Sequence, residues 1–121
     1  MKRLKIPDLN QRGRHVLTGI IERRFLKGGL SFKKPGERTH DIGCTCPTCD
    51  GKGHHVHGDA EVFVFLEGKA MMEVDGKKYP VSAGDVVIAE PGEDHHVRAD
   101  RKFPCVNLWL HGSDTAAYLE K

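Results

Sequence analysis

The stretch 54–68 combines the alternation of a β-strand with side chains that bind metal ions. Side chains two and four residues apart lie on one face of a strand. The alternate residues on this predicted inner face include His55, His57, Glu61, Phe63 and Phe65. Two imidazoles and a carboxylate that converge in this way suit a divalent first-row transition metal. We therefore predict a strand over about residues 54–66 that carries a metal site; the alternative, a solvated edge strand, would expose both phenylalanines.

The rest of the chain alternates short apolar runs with turn residues. Asp75-Gly76 has the composition of a two-residue hairpin turn, because both positions tolerate positive φ. Gly28-Gly29 is expected to separate the first two strands. Besides the strand at 54–66, strands are predicted at 15–26, 30–34, 69–74, 77–81, 86–89 and 105–110, and a further strand is predicted to start at His95. Many short strands divided by frequent turns indicate an all-β sandwich or barrel.

The size and charge of the chain restrict its function. Its 121 residues suffice for one hydrophobic core. A net charge of +2 gives no indication of nucleic-acid binding, and no apolar run approaches the roughly 18 residues of a membrane span. The first residues lack the pattern of a secretory signal. We therefore expect a cytoplasmic protein without membrane or nucleic-acid partners, whose cysteines stay reduced and serve first as metal ligands or reactive thiols.

Two segments resemble the two signature motifs of the cupin superfamily. The first begins at His55 with His-x-His, followed after three residues by Glu and after six more by Gly. The second matches at its two glycines and its histidine, which are Gly84, Gly92 and His95. It departs from the family pattern at Glu90, the usual position of a proline, and at Ala99, where asparagine is common. The resemblance extends over roughly residues 28–111.

This resemblance implies a double-stranded β-helix, the jelly-roll barrel of the cupins. It also implies a set of four metal ligands, which would be His55, His57, Glu61 and His95. Such a set leaves coordination positions open for water or substrate, as catalytic metal sites do. The metal stays open among iron, manganese, zinc, nickel and copper. The reaction also stays open, because one fold hosts many chemistries.

The expected organisation is an N-terminal arm at 1–14, a barrel at 15–112 and a tail at 113–121. Ser113 is a candidate N-cap of a short helix in the tail. The arm carries five of the 19 basic residues, and we interpret it as a solvated or subunit-crossing segment. Small cupins commonly form homodimers by exchanging an N-terminal strand, so the resemblance also implies a homodimer.

Residues 39–53 do not fit a strand pattern, and we interpret them as a loop inserted before the first motif. The loop contains Cys44, Cys46 and Cys49, the last two in a Cys-x-x-Cys-x-Gly-x-Gly unit like those of chaperone zinc domains. A structural zinc ion needs four ligands and would fix a loop that lacks regular structure. The candidates for the fourth ligand are Cys105, which we take as the working choice, and His40, His54, Asp50 or a residue of another subunit.

Two other interpretations of this loop stay open. Cys46 and Cys49 have the spacing of a redox-active dithiol that forms a disulfide. Alternatively, all the thiols are free and have no role. Among the remaining histidines, strand parity predicts that His54 and His96 point away from the metal ligands and are exposed.

The predicted barrel interior is mostly apolar. Its candidate substrate-contacting residues are Phe63, Phe65, Asn107 and Trp109. Such a pocket suits a small organic molecule better than a polymer. Three functions follow as hypotheses: a metal-dependent enzyme with oxygenase or Lewis-acid chemistry, a non-catalytic ligand-binding or sensor cupin, and a zinc or redox protein centred on the cysteine loop.

Overall fold

The computed structural model describes residues 1–5, 24–46 and 49–113. Every pairing between the strands in these ranges is antiparallel. The strands are β1 (Lys2–Lys5), β2 (Arg24–Lys33), β3 (Ala60–Val74), β4 (Lys77–Ser82), β5 (Asp85–Ala89), β6 (His95–Ala99) and β7 (Cys105–Ser113). The described ranges contain no helix, and therefore none that is long and apolar enough to cross a membrane. The predicted all-β double-stranded β-helix is confirmed.

The long strand β3 connects the two sheets of the barrel. Its first half pairs with β5 and β7, and these belong to the order β1-β5-β3-β7-β2. Its second half pairs with β4 on one side and β6 on the other. The interior between the sheets is filled by side chains from both, among them Phe65, Met72, Val87 and Val97. One strand therefore contributes to both walls of the core.

Gly68 lies where β3 passes from one sheet to the other. Its φ is +81°, a value that side-chain-bearing residues rarely adopt, and an added Cβ would overlap the carbonyl oxygen of Pro104. The pairing of β3 with β7 is also irregular just before this point, between Phe65 and Glu67. The sequence analysis placed a strand boundary here, whereas the structure has a bend in one continuous strand.

Two other predicted strand boundaries differ from the structure. The glycine pair Gly28-Gly29 does not end a strand but lies inside β2. There it permits close approach of β7, because a Cβ on Gly28 would come within 2.5 Å of Leu110. Strand β1 was not predicted within the basic arm, yet it pairs with β5, and Lys5 Nζ donates a 2.9 Å hydrogen bond to Asp85.

Several expectations fall on other parts of the chain. Most of the predicted strand 15–26 and the predicted helix in the tail lie outside the described residues. Ser113, the candidate N-cap, is the last residue of β7. The described residues of the 39–53 loop form isolated bridges, such as Ile42 with Lys52 and Cys49 with His55, but none of the named strands.

Candidate metal centre

Two strands and one loop segment position the four predicted barrel ligands. Glu61 lies at the start of β3 and His95 at the start of β6. His55 and His57 lie in the segment before β3, which begins at Ala60 and not near residue 54 as predicted. The predicted alternation nevertheless holds there, because odd-numbered residues from 55 to 59 are buried and even-numbered ones exposed. Backbone bonds join this segment to the second motif, with His95 N–H donating to the carbonyl of His55 at 3.2 Å.

The four side chains converge on one point. Nε2 of His57 lies 3.1 Å from Oε1 of Glu61, and Nε2 of His95 lies 3.0 Å from the same oxygen. The ring centroids of His55, His57 and His95 are 4.8–5.0 Å apart. For comparison, two ligands at about 2.1 Å from a metal and at right angles to each other are about 3.0 Å apart.

Hydrogen bonds behind the ligands orient their imidazoles. Nδ1 of His57 lies 3.0 Å from the carbonyl oxygen of Asp59, and Nδ1 of His95 lies 2.9 Å from that of Glu93. A carbonyl accepts only from a protonated Nδ1, which in a neutral ring leaves a lone pair on Nε2. In this tautomer both Nε2 lone pairs would face a metal ion beside the Glu61 oxygen, whereas without a metal protons on the two Nε2 atoms hydrogen-bond the carboxylate. The donor set therefore fits a divalent metal.

The charges of the centre favour a cation. Burial alone would raise the pKa of Glu61, but hydrogen bonds from His57 and His95 outweigh it and lower the pKa, so the buried carboxylate is ionised. Burial, reinforced by neighbouring histidines, lowers the pKa of His55 to about 2. At neutral pH His55 is therefore an uncharged imidazole, the form that binds metal.

Two buried residues of the centre were missed by the sequence analysis. The side chain of Asp59 is fully buried, with Oδ1 2.5 Å from Nδ1 of His57 and Oδ2 3.1 Å from Nδ1 of His111. Nε2 of His111 in turn lies 3.3 Å from Glu61. Strand parity could have identified both residues. Asp59 continues the row of His57 and Glu61, and His111 continues the row of Asn107 and Trp109. His57, Asp59 and His111 themselves form a group with metal-ligating atoms close together.

The predicted pocket residues lie in the barrel interior in successive layers. Phe63 is nearest to the centre, with its ring 5.8 Å from that of His95, and it is paired with Trp109 across β3 and β7. Phe65 is paired with Asn107 one layer further in. Trp109 also contacts His111 edge-on at 5.5 Å. All four residues therefore belong to one side of the interior.

Lys33 is a further buried group that the sequence analysis did not identify. Its Nζ donates 2.6 Å hydrogen bonds to Oδ1 of Asn107 and Oγ of Ser31. Burial lowers its pKa. Among the residues whose side chains the structure describes, it is the one buried lysine or arginine, so the interior holds a cationic group below the aromatic layer.

The cysteines of the loop come together, but Cys105 does not join them. Sγ of Cys44, Cys46 and Cys49 lie 3.6, 3.5 and 3.2 Å from Nδ1 of His40. Cys105 lies instead on β7, paired with Lys33 and Gly68 in the barrel wall. His40 therefore takes the position beside the three sulfurs for which Cys105 was the working choice.

The two histidines expected to be exposed behave differently. The side chain of His54 is 63% exposed, and its Nδ1 lies 2.7 Å from Oδ2 of Asp50. His54 is therefore a surface residue outside both clusters. His96 is buried instead, because its Nδ1 meets the carbonyl oxygen of Thr39 and its Nε2 meets Asp94 at 2.8 Å. Strand parity correctly predicted that His96 points away from the ligands. It could not predict that the loop after Thr39 covers that face.

A surface groove of about 560 Å³ lies beside the centre. Its lining includes His57 of the barrel cluster and Cys49 of the loop cluster, together with Val56, Gly58 and Gly92. The groove therefore borders one residue of each cluster, and the side chain of His57 itself is buried.

Comparison with known proteins agrees with this architecture. A family model described as a cupin domain matches residues 46–111, more than half of the chain. The chain is 32% identical over 69 residues to the oxalate-binding protein of Thermotoga maritima, a match covering 53% of this chain and 57% of that protein. It thus spans little more than half the length of that curated relative.

Solved structures share the fold at lower identity. They include a predicted oxalate decarboxylase from Thermotoga maritima (TM-score 0.57, 22% identity, 73% of this chain and 66% of that one). A conserved protein with a double-stranded β-helix domain from Klebsiella pneumoniae has a TM-score of 0.57 at 19% identity, with 82% and 83% of the two chains covered. A polyketide cyclase from Streptomyces resistomycificus has 0.57 at 18%, with 85% and 63% covered. With both sequence motifs, the barrel and the matching family model in place, this chain belongs to the cupin family.

Proposed function

We propose that the chain is a metal-dependent enzyme that acts on a small organic acid at the barrel centre. A divalent transition metal would be held by His55, His57, Glu61 and His95. When bound, such an ion supplies a positive charge that attracts and polarises a carboxylate or carbonyl oxygen. The observation that carries the proposal is the arrangement of two Nε2 atoms within 3.1 Å of one Glu61 oxygen, with each ring fixed from behind by a backbone carbonyl.

The surroundings of the centre support an acidic ligand. A surface groove borders His57. Phe63 and Trp109 form an apolar layer that excludes water from one side of the site. Below that layer the Lys33 amine adds positive charge to the interior. The relative named as an oxalate-binding protein and the neighbour named as a predicted oxalate decarboxylase make small dicarboxylates the first ligands to test.

A second candidate function is ligand binding without turnover. The buried polar groups near the centre are paired with one another, since Asp59 contacts both His57 and His111. Among the described residues around the centre, every evident acid or base is already engaged with these imidazoles. The relative's printed name, which specifies binding, also favours this alternative.

The test uses the full chain loaded with Mn²⁺ and titrated with oxalate and malonate by calorimetry, while chromatography follows loss of the acid. Binding with turnover supports the enzyme, and binding without turnover supports the second candidate. Neither acid should bind to the His57→Ala variant. The Lys33→Met variant should bind several-fold more weakly, whereas Lys77→Met, a change at an exposed lysine of β4, should bind normally. Equal affinity of the native chain and His57→Ala would refute the proposed site.

A further inference from the structure

We propose that His40, Cys44, Cys46 and Cys49 form a second metal site, which binds zinc through three thiolates and one imidazole. This site is separate from the barrel centre and does not depend on the reaction proposed above. Each of the four residues offers one ligand atom, and these atoms all lie within 4.8 Å of one another. All four side chains are partly buried, so the cluster lies between the surface and the core.

The interatomic distances match tetrahedral zinc. With Zn–S of about 2.3 Å and Zn–N of about 2.05 Å, sulfur and nitrogen ligands of a tetrahedral ion lie about 3.6 Å apart. Nδ1 of His40 is 3.6, 3.5 and 3.2 Å from Sγ of Cys44, Cys46 and Cys49. The Cys46 and Cys49 sulfurs are 3.0 Å apart, and the tetrahedral separation of about 3.8 Å requires them to part by about 0.8 Å when zinc binds.

The backbone of the loop is folded to bring these ligands together. Gly43 N–H donates to the carbonyl of Gly51 at 2.8 Å, and Cys49 N–H donates to that of Cys46 at 3.1 Å. His40 has a φ of +49°, a left-handed conformation that costs a non-glycine residue about 1–3 kcal/mol unless its surroundings hold it there. A ligand role for the His40 ring accounts for this conformation.

A disulfide between Cys46 and Cys49 accounts for less of the geometry. It would use two of the three sulfurs and leave the Cys44 thiol and the directed His40 nitrogen without a function. Binding of one Zn²⁺ uses all four groups. The three thiols lose their protons to solvent, and the ion with three thiolates and a neutral imidazole carries a net charge of −1. No electron is transferred and no oxidant is needed.

His55 connects this site to the barrel centre. Its ring stacks on that of His40, with centroids 3.6 Å apart and planes 1° from parallel. Its Nδ1 lies 3.3 Å from Sγ of Cys49, and a backbone bridge pairs the same two residues. An ion that fixes His40 and Cys49 therefore also fixes a ligand of the barrel metal. We infer that zinc in the loop orients His55 for the barrel.

The test is reconstitution of the full chain, reduced and stripped of metal, with Co²⁺. A thiolate-bound cobalt ion gives a near-ultraviolet sulfur-to-cobalt charge-transfer absorption that imidazole and carboxylate ligands do not give. We expect two ions per native chain and an intense absorption from one of them. Variants Cys44→Ala, Cys46→Ala and Cys49→Ala should each lose most of this absorption, and His40→Ala should shift it. Cys105→Ala, a matched change at the cysteine outside the cluster, should retain it.

The two proposed sites can be distinguished by their own variants. His57→Ala should lose the barrel ion and keep the charge-transfer absorption, whatever the outcome of the ligand titrations. In the Cys46→Ala variant we expect the barrel to bind Mn²⁺ about 10- to 100-fold more weakly, as loss of groups that orient a ligand does. Circular dichroism shows whether each variant keeps its strands, and zinc removal from the native chain by a chelator repeats the comparison without a mutation.

Two results would overturn the zinc site. The first is a reduced native chain that gives no charge-transfer absorption with Co²⁺ at saturating concentration. The second is an absorption that persists in the double variant Cys46→Ala/Cys49→Ala. A loss of two free thiols in air, together with either result, would assign these cysteines to a disulfide instead.

Discussion

Oδ1 of the buried Asp59 lies 2.5 Å from Nδ1 of His57, the ring nitrogen opposite the one that faces Glu61. A carboxylate in this position fixes the orientation of the ring and increases its basicity. We predict that Asp59→Asn lowers the affinity of the barrel for Mn²⁺ about 10- to 100-fold. Calorimetric titration measures this change, and Glu67→Gln, which alters an exposed carboxylate on β3, is the control. Equal affinities of the two variants would contradict the role assigned to Asp59.

The barrel metal should stabilise the native chain. A ligand at 100 times its Kd that binds only the folded state adds about 2.7 kcal/mol to the free energy of unfolding. We expect Mn²⁺ at such an excess to raise the unfolding midpoint of the native chain in urea. His95→Ala should remove this gain because it deletes a ligand on β6. Mn²⁺ is the chosen probe because thiolates bind it weakly, so the cysteine loop should contribute little. A similar gain in His95→Ala would place the ion elsewhere.

The bend in β3 should depend on glycine at position 68. Gly68→Ala combines a φ of +81° with a clash against the Pro104 backbone, and we expect it to lower the free energy of unfolding by about 3 kcal/mol or more. Gly76→Ala is the matched control, since φ is +79° there but no atom lies within 4 Å of the added Cβ. It should cost only about 1 kcal/mol. Urea denaturation of both variants measures the difference, and equal losses would show that the clash at Pro104 relaxes.

The ion pair of Asp85 should make stability depend on acid pH. Burial raises the pKa of Asp85, but the bonds from Lys5 and from the Ser82 N–H outweigh it, so the net shift is downward. A carboxyl whose pKa is lower in the folded state stabilises the protein above its unfolded pKa of about 3.9, and this contribution is lost as the pH falls through the folded value.

We therefore predict that Asp85→Asn destabilises the chain at pH 7 by on the order of 1 kcal/mol and has a smaller effect near pH 3. The free energies of unfolding in urea at the two pH values provide the check. Lys77→Met, which removes an exposed charge from β4, should show no such pH-dependent difference. An effect of Asp85→Asn that is equal at both pH values would contradict the assigned ion pair.

The alternation of inward and outward side chains along the sequence predicted those features that depend on neighbouring residues. The parity of residues 55 to 61 brought His55, His57 and Glu61 together, although His55 and His57 precede the strand instead of belonging to it. Parity alone could not predict contacts between distant segments. The choice between His40 and Cys105 as a ligand depended on which strand lies beside the loop. The burial of Lys33 depended on its side-chain hydrogen bond to Asn107, 74 residues away. Such contacts are fixed by the packing of the whole barrel.

The barrel ligands differ in how the backbone holds them. Glu61 lies near the start of β3, where pairing with Ala89 of β5 and His111 of β7 holds it on both sides, and His95 lies on β6. His55 and His57 lie outside the strands and are attached by fewer backbone bonds. The four ligands thus divide into a pair on paired strands and a pair on a less extensively bonded segment. Because Cys49 bridges to His55 in that segment, the cysteine loop and the barrel meet at the rim of one groove.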